Sequence, residues 1–183
     1  MRVPYNWLKT YIDFPYSPEE LAHKLTMTGL EVEDIEYMGE GLSDIVIGEI
    51  TKIEEHPDAD KLVVCQADIG SDKIQIVTGA PNVSEGIKVP IAPVGTVLPG
   101  GMKIEQTNLR GKMSSGMVCS KDELGLMEER AEGIMILEDE AEVGVEFVKY
   151  MGLDEHVLKL DLTPNYARCL GMIGIARNKF FNH

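Results

Sequence analysis

From residue 44 to residue 137 the apolar side chains recur at about every second position, and glycine, proline, asparagine and aspartate break the runs at short intervals. That period places alternate residues on one face of a strand and gives no helical stripe. Residues 45–53, 62–69, 73–78 and 87–93 read as four strands, and 116–119 and 134–137 as two shorter ones. Pro57-Asp58-Ala59-Asp60, Gly79-Ala80-Pro81-Asn82 and Pro99-Gly100-Gly101 are the turn clusters between them. Short strands at this spacing predict a small barrel or sandwich. Ser120 and Glu123 have the spacing of a capping box, which predicts a short helix ended by Gly125.

The flanks follow another period. Trp7, Leu8, Tyr11 and Ile12 fall on one helical face. Ser17-Pro18-Glu19-Glu20 is a helix start, with serine as N-cap, proline in the first turn and a glutamate to close the capping box. Leu21, Ala22 and Leu25 line the helix that follows, and Gly29 is its predicted C-terminal cap. Residues 30–38 alternate as a strand with a charged side. Residues 143–151 read as a short helix, 157–162 as a strand, and 169–181 as a helix carrying Leu170, Ile173, Ala176 and Phe180. A helical head, an all-β middle and a mixed tail predict that a β domain is inserted into a smaller α+β domain built from both ends.

Composition narrows the class. With 44% apolar and 26% charged residues, the 183-residue chain has enough apolar matter for a core and reads as globular. No apolar run approaches the roughly 18 residues of a membrane span, and no signal-peptide core precedes the first helix. Cys65, Cys119 and Cys169 are widely spaced and form no CxxC pair. They predict a reducing compartment without a disulfide framework or a thiolate zinc site. The expectation is a cytosolic, soluble, metal-free protein.

The net charge of −14 is unevenly spread. Residues 1–60 carry 4 Lys/Arg and 14 Asp/Glu, residues 61–121 carry 7 and 4, and residues 122–183 carry 6 and 13. The cationic middle is either ordinary loop solubility or a face for a polyanion. Segment 102–121 concentrates Lys103, Arg110, Lys112 and Lys121 against the single acid Glu105. No Phe, Tyr or Trp occurs between Gly39 and Glu146. Barrels and sheets that bind single strands stack bases on aromatic platforms worth about 1–3 kcal/mol per base. This stretch has none, so an RNA held here is held by phosphates, 2′-hydroxyls and shape.

Signals for catalysis are weak. His56-Pro57-Asp58-Ala59-Asp60 resembles a metal or acid–base cluster, yet with no second histidine nearby it reads as a turn. Ser114-Ser115-Gly116 is not a nucleophile elbow, and the glycines at 95, 100 and 101 form no phosphate loop. Cys65 and Cys119 lie on alternating strands and read as core.

A set of ordered motifs is nonetheless distinctive. Glu55-His56-Pro57-Asp58-Ala59-Asp60-Lys61-Leu62, Gly79-Ala80-Pro81-Asn82, Leu98-Pro99-Gly100-Gly101-Met102-Lys103-Ile104, Leu109-Arg110-Gly111 and Ser114-Ser115-Gly116-Met117-Val118-Cys119-Ser120 resemble the tRNA-binding oligonucleotide-binding (OB) fold appended to several aminoacyl-tRNA synthetases. Tyr5-Asn6-Trp7-Leu8-Lys9, the stretch from Leu25 to Glu33, and Asp161-Leu162-Thr163-Pro164-Asn165 resemble the N-terminal region of the bacterial phenylalanine–tRNA ligase beta subunit. The turn departs from that pattern at Tyr166-Ala167-Arg168, where the resemblance leads one to expect arginine at 166 and aspartate at 168, so any ion pair around it is in doubt.

The resemblance implies a β-rich α+β fold. An OB barrel over residues 40–151 is inserted into a discontinuous α+β domain of residues 1–39 plus 152–183. It implies a tRNA-binding and assembly role in a ligase, an alpha-subunit partner in a heterotetramer of two alpha and two beta subunits, a cytoplasmic location and no membrane. ATP and magnesium would serve the parent enzyme, with no cofactor and no catalytic residue in this chain. Family beta subunits are several times longer, so the chain reads as a fragment in which Phe180 and Phe181 stand exposed. The RNA contacts expected are Lys103, Arg110, Lys112, Ser114 and Lys121. Specificity for one tRNA would lie elsewhere. The alternatives are a structural module at the subunit interface with little tRNA contact, and a free-standing tRNA chaperone, which the synthetase-like flanks disfavour.

Overall fold

In the computed structural model, which describes residues 1–177, the chain divides into two compact units. Met1–Met38 joins the segment from Leu153 onward, and Gly39–Gly152 forms the other. The first unit begins with β1 (Arg2–Pro4), a strand the helical reading of the head missed, and α1 (Tyr5–Lys9). On α1 only Leu8 of the expected face is fully buried; Trp7 and Tyr11 are 52% and 47% exposed. α2 (Pro18–Met27) starts on the predicted capping box, in which the Ser17 hydroxyl accepts from the Glu20 amide and the Glu20 carboxylate accepts from the Ser17 amide. Leu21 and Leu25 are buried on it, and β2 (Glu31–Tyr37) follows.

The period-two stretch forms an antiparallel sheet of β3 (Val46–Glu55), β4 (Val63–Asp68), β5 (Lys73–Thr78), β6 (Lys88–Pro93) and, beyond the hairpin of β7 (Thr107–Leu109) and β8 (Lys112–Ser114), β9 (Gly116–Val118). The sheet order is β5-β4-β3-β6-β9. β3 pairs with β6 through Val46–Glu49 and with β4 from Glu49 to Glu55, with a register shift in the β4 pairing between Ile50 and Lys52. Such bulges bend a strand and sharpen its twist. The Ser115 amide donates to the Gln75 carbonyl and brings β9 up to β5, so the five-stranded ring is nearly closed. This is an OB-like barrel in a β-rich chain. Its core holds Ile50, Cys65, Ile76, Val89, Ile91 and Val118, drawn from all five strands.

Two expected elements differ. Residues 134–137 form no strand. The Asn82 amide bonds both the Ile134 amide and its carbonyl, while the Met135 and Leu137 amides donate to the carbonyls of Cys119 and Lys88. Those scattered partners satisfy the backbone without a ladder. After β9 the Ser120 amide does donate to the Glu123 carboxylate, but the chain completes a single turn before Gly125, with no helix. α3 (Phe147–Tyr150) lies within the expected helical stretch at 143–151.

β10 (His156–Asp161) pairs antiparallel with β1 on one side and β2 on the other. A short 3-10 turn (Pro164–Cys169) leads into α4 (Met172–Ala176). Leu8, Leu21, Leu25, Leu30, Leu158 and Ile175 form this unit's core. Where an ion pair was in doubt, the Tyr166 hydroxyl donates to the Thr28 carbonyl and the Arg168 guanidinium lies 5.2 Å from the Tyr166 ring. The last part of the predicted C-terminal helix, with Phe180 and Phe181, lies outside the described residues.

Candidate nucleic-acid interface

The β7–β8 hairpin turns through Arg110 and Gly111, both with positive φ (47° and 88°). Arg110 is not a glycine, so its left-handed backbone is held by its surroundings. The holding atoms come from residues 56–60. The His56 ring donates from Nε2 to the Leu109 carbonyl at 2.9 Å and accepts at Nδ1 from the Asp58 amide at 3.1 Å. An amide can only donate, so Nδ1 carries no proton and the proton sits on Nε2. In return the Arg110 guanidinium donates to the Asp58 carbonyl at 3.0 Å. The turn that sequence reading treated as punctuation is therefore the dock for the hairpin tip.

Beside the dock, Arg110 and Lys61 line one hollow of about 390 Å³ with Ala59, Asp60 and Leu62. Lys61 is not among the contacts expected from the sequence, although it belongs to the motif quoted above. Lys112 opposes Leu109 in the hairpin and is half-buried. Its charge reaches Glu54, whose carboxyl is held below the usual range mainly by a hydrogen bond and the charge of Lys52, with a lesser pull from Lys112.

The other expected contacts are placed differently. Ser114 lies at the buried end of β8, two residues beyond the half-buried Lys112. Ser114 is 5% exposed, and its hydroxyl accepts from the Val77 amide and donates to the Gly116 carbonyl. Ser114 thus fastens β8 to β5 and offers no free group to a ligand. Lys103 is exposed on the loop before the hairpin, 3.9 Å from Glu105. Lys121 is exposed on the turn after β9, and Arg130 lines a separate groove with Ser120 and Asp122. These cations are a local minority, since residues 39–152 carry 10 Lys/Arg and 21 Asp/Glu.

Burial pushes the thiol of Cys65 up to about 11 and that of Cys119 up to about 12, so both stay protonated and unreactive near neutral pH. Among the described residues no group of three or more His, Cys, Asp or Glu is placed to hold a metal ion. Among the same residues no helix is long and apolar enough to cross a membrane.

A family described as "Putative tRNA binding domain" matches residues 45–146, which is the barrel and its hairpin. The chain is also similar to phenylalanine–tRNA ligase beta subunits. It is 49% identical over 177 residues to that of Syntrophotalea carbinolica and 48% identical over 183 residues to that of Bacillus licheniformis. Those alignments take in 97% and 96% of this chain but 22% and 23% of the relatives, so the chain spans less than a quarter of their length. Among solved structures, the "MetRS related protein" of Pyrococcus horikoshii matches at 21% identity and a TM-score of 0.41, over 55% of this chain and 84% of that one. The barrel over residues 45–146, with a basic hairpin tip docked on it, places this chain in the tRNA-binding domain family.

Proposed function

We propose that the barrel holds folded tRNA by its phosphate backbone, as part of the beta subunit of an enzyme that joins phenylalanine to its tRNA. The family match over the barrel carries this reading, and the identity to ligase beta subunits along nearly the whole chain supplies the setting. In that setting the barrel is a domain of residues 40–151, set into a host of residues 1–39 and 152–183. ATP, magnesium and the aminoacylation site belong to the rest of the enzyme and its alpha subunit, in the cytoplasm. The chain supplies a docking surface and no catalytic group. Its phosphate contacts are Arg110, Lys61 and Lys112 around the hairpin tip, with Lys103 and Lys121 on neighbouring loops.

Backbone binding has a thermodynamic signature, because each neutralised phosphate releases condensed counterions. With five such contacts, log K falls against log salt with a slope of roughly −3.5 to −4.5. Arg110→Glu combined with Lys112→Glu weakens binding of any folded tRNA and leaves the ranking among tRNAs unchanged. A gel-shift titration at low salt checks this. Equal binding by parent and double variant would remove the hairpin tip as the contact.

A second reading is a bracing module at the subunit interface with little RNA contact. It is favoured by the acid excess of the barrel unit and by the carboxylates of Glu54 and Glu105 beside Lys112 and Lys103. Folded tRNA that fails to bind even at low salt would select it.

A further inference from the structure

A groove of about 240 Å³ runs between the β7–β8 hairpin and the loop that precedes it. Val77 and Ile104, both buried, form its floor, and the half-buried Leu109 and Met117 form its walls. Met102, 55% exposed, is the lip. Thioether and branched aliphatic side chains give a slot that is apolar and adaptable, with Met102 free to fold over an occupant. Lys103 and Glu105 both line the same groove, 3.9 Å apart and largely exposed. The Ser114 hydroxyl at the inner end is already committed to Val77 and Gly116. Glu105 therefore supplies the charged acceptor of the slot and Lys103 its charged donor.

One ammonium and one carboxylate beside an apolar slot complement a ligand that carries an anion, a flat apolar face and an amino group at its edge. An unstacked nucleotide with an exocyclic amine has all three. Uracil lacks the amine. Carboxylates are matched to such amines, as in their pairing with the cytosine N4 group. On the reading that this barrel binds tRNA, we propose that the groove takes one unstacked, amino-bearing base of the bound RNA. Lys103 meets its phosphate and Glu105 its exocyclic amine. The neighbourhood of Glu105, which opposes phosphate binding at Lys103, then becomes a means of reading one base without any aromatic platform.

The test is fluorescence anisotropy on the 183-residue chain with labelled hexacytidylate, hexauridylate and a folded tRNA. The parent binds hexacytidylate about tenfold more tightly than hexauridylate. Glu105→Leu removes the acceptor together with a repelling charge. It raises the affinity for hexauridylate and closes the gap between the two probes. Met102→Ala, at an exposed position, weakens hexacytidylate several-fold and leaves the thermal midpoint in place. A preference that is absent in the parent, or unchanged in Glu105→Leu while tRNA still binds, overturns the base site alone. Failure of all three probes at low salt overturns the tRNA reading beneath it. A doubling of mass in sedimentation that Met102→Ala abolishes would show that a second copy of the chain covers the groove, and would also overturn the proposal.

Discussion

His56 uses both ring nitrogens, and each has a backbone partner whose role is fixed. The Leu109 carbonyl lies 53 residues along the chain, so the ring ties two loops that local sequence does not relate. Leucine at this position keeps the volume and removes both bonds. Each part-buried hydrogen bond lost costs about 0.5–1.5 kcal/mol. His56→Leu is expected to lower the urea midpoint by a stability loss of that size. It also frees Arg110 from its positive-φ turn, so tRNA affinity falls although no cation is removed; urea denaturation and the gel shift measure the two effects. The motif was visible in the sequence, and its turn geometry followed from proline and aspartate. The tie was not, because a histidine's partner is chosen by the fold. Ser114 shows the converse: a serine in a basic segment reads as a phosphate contact until strand alternation turns it inward.

At the scale of elements, the capping box at Ser17 and the stop at Gly29 held, whereas the Ser120–Glu123 box closed on a turn and not a helix. Gly29 was expected to end α2, and it does so with φ of +90°. A Cβ there would lie 2.2 Å from the Tyr166 hydroxyl oxygen. Gly29→Ala therefore meets both a left-handed backbone, costing about 1–2 kcal/mol for a residue with a side chain, and the ring beneath it. The melting temperature is expected to fall, and the double variant with Tyr166→Ala recovers only the part due to the clash. The β7–β8 hairpin escaped prediction because its strands have 3 residues each and mix Thr, Asn, Leu, Lys, Met and Ser without a clear period. The strand expected at 134–137 failed for a different reason. Its four residues are all apolar, the two that are buried, Ile134 and Leu137, lie three positions apart and off the strand period while Ile136 is 49% exposed, and the neighbouring backbone had only isolated partners to offer.

For the molecule as a whole, the ends of the barrel unit meet. The Phe147 amide donates to the Ile45 carbonyl and the Ile47 amide to the Val145 carbonyl, so the chain enters and leaves at one place. A unit whose termini adjoin, with a core of its own, can be excised. Residues 39–152 expressed alone are expected to unfold in a single cooperative transition, followed by circular dichroism; a broad melt without a baseline would show that they depend on the host. The sequence by itself determined a run of short strands fit for a barrel or a sandwich, the helix start at Ser17 and the burial of Cys65 and Cys119, because periodicity and capping involve residues within a few positions of each other. Only the tertiary structure decided that Lys61 joins Arg110, that Glu105 stands beside Lys103, and that Ser114 faces inward. Those relations depend on long-range hydrogen bonds and hairpin docking, which bring distant segments together and leave no local period in the chain.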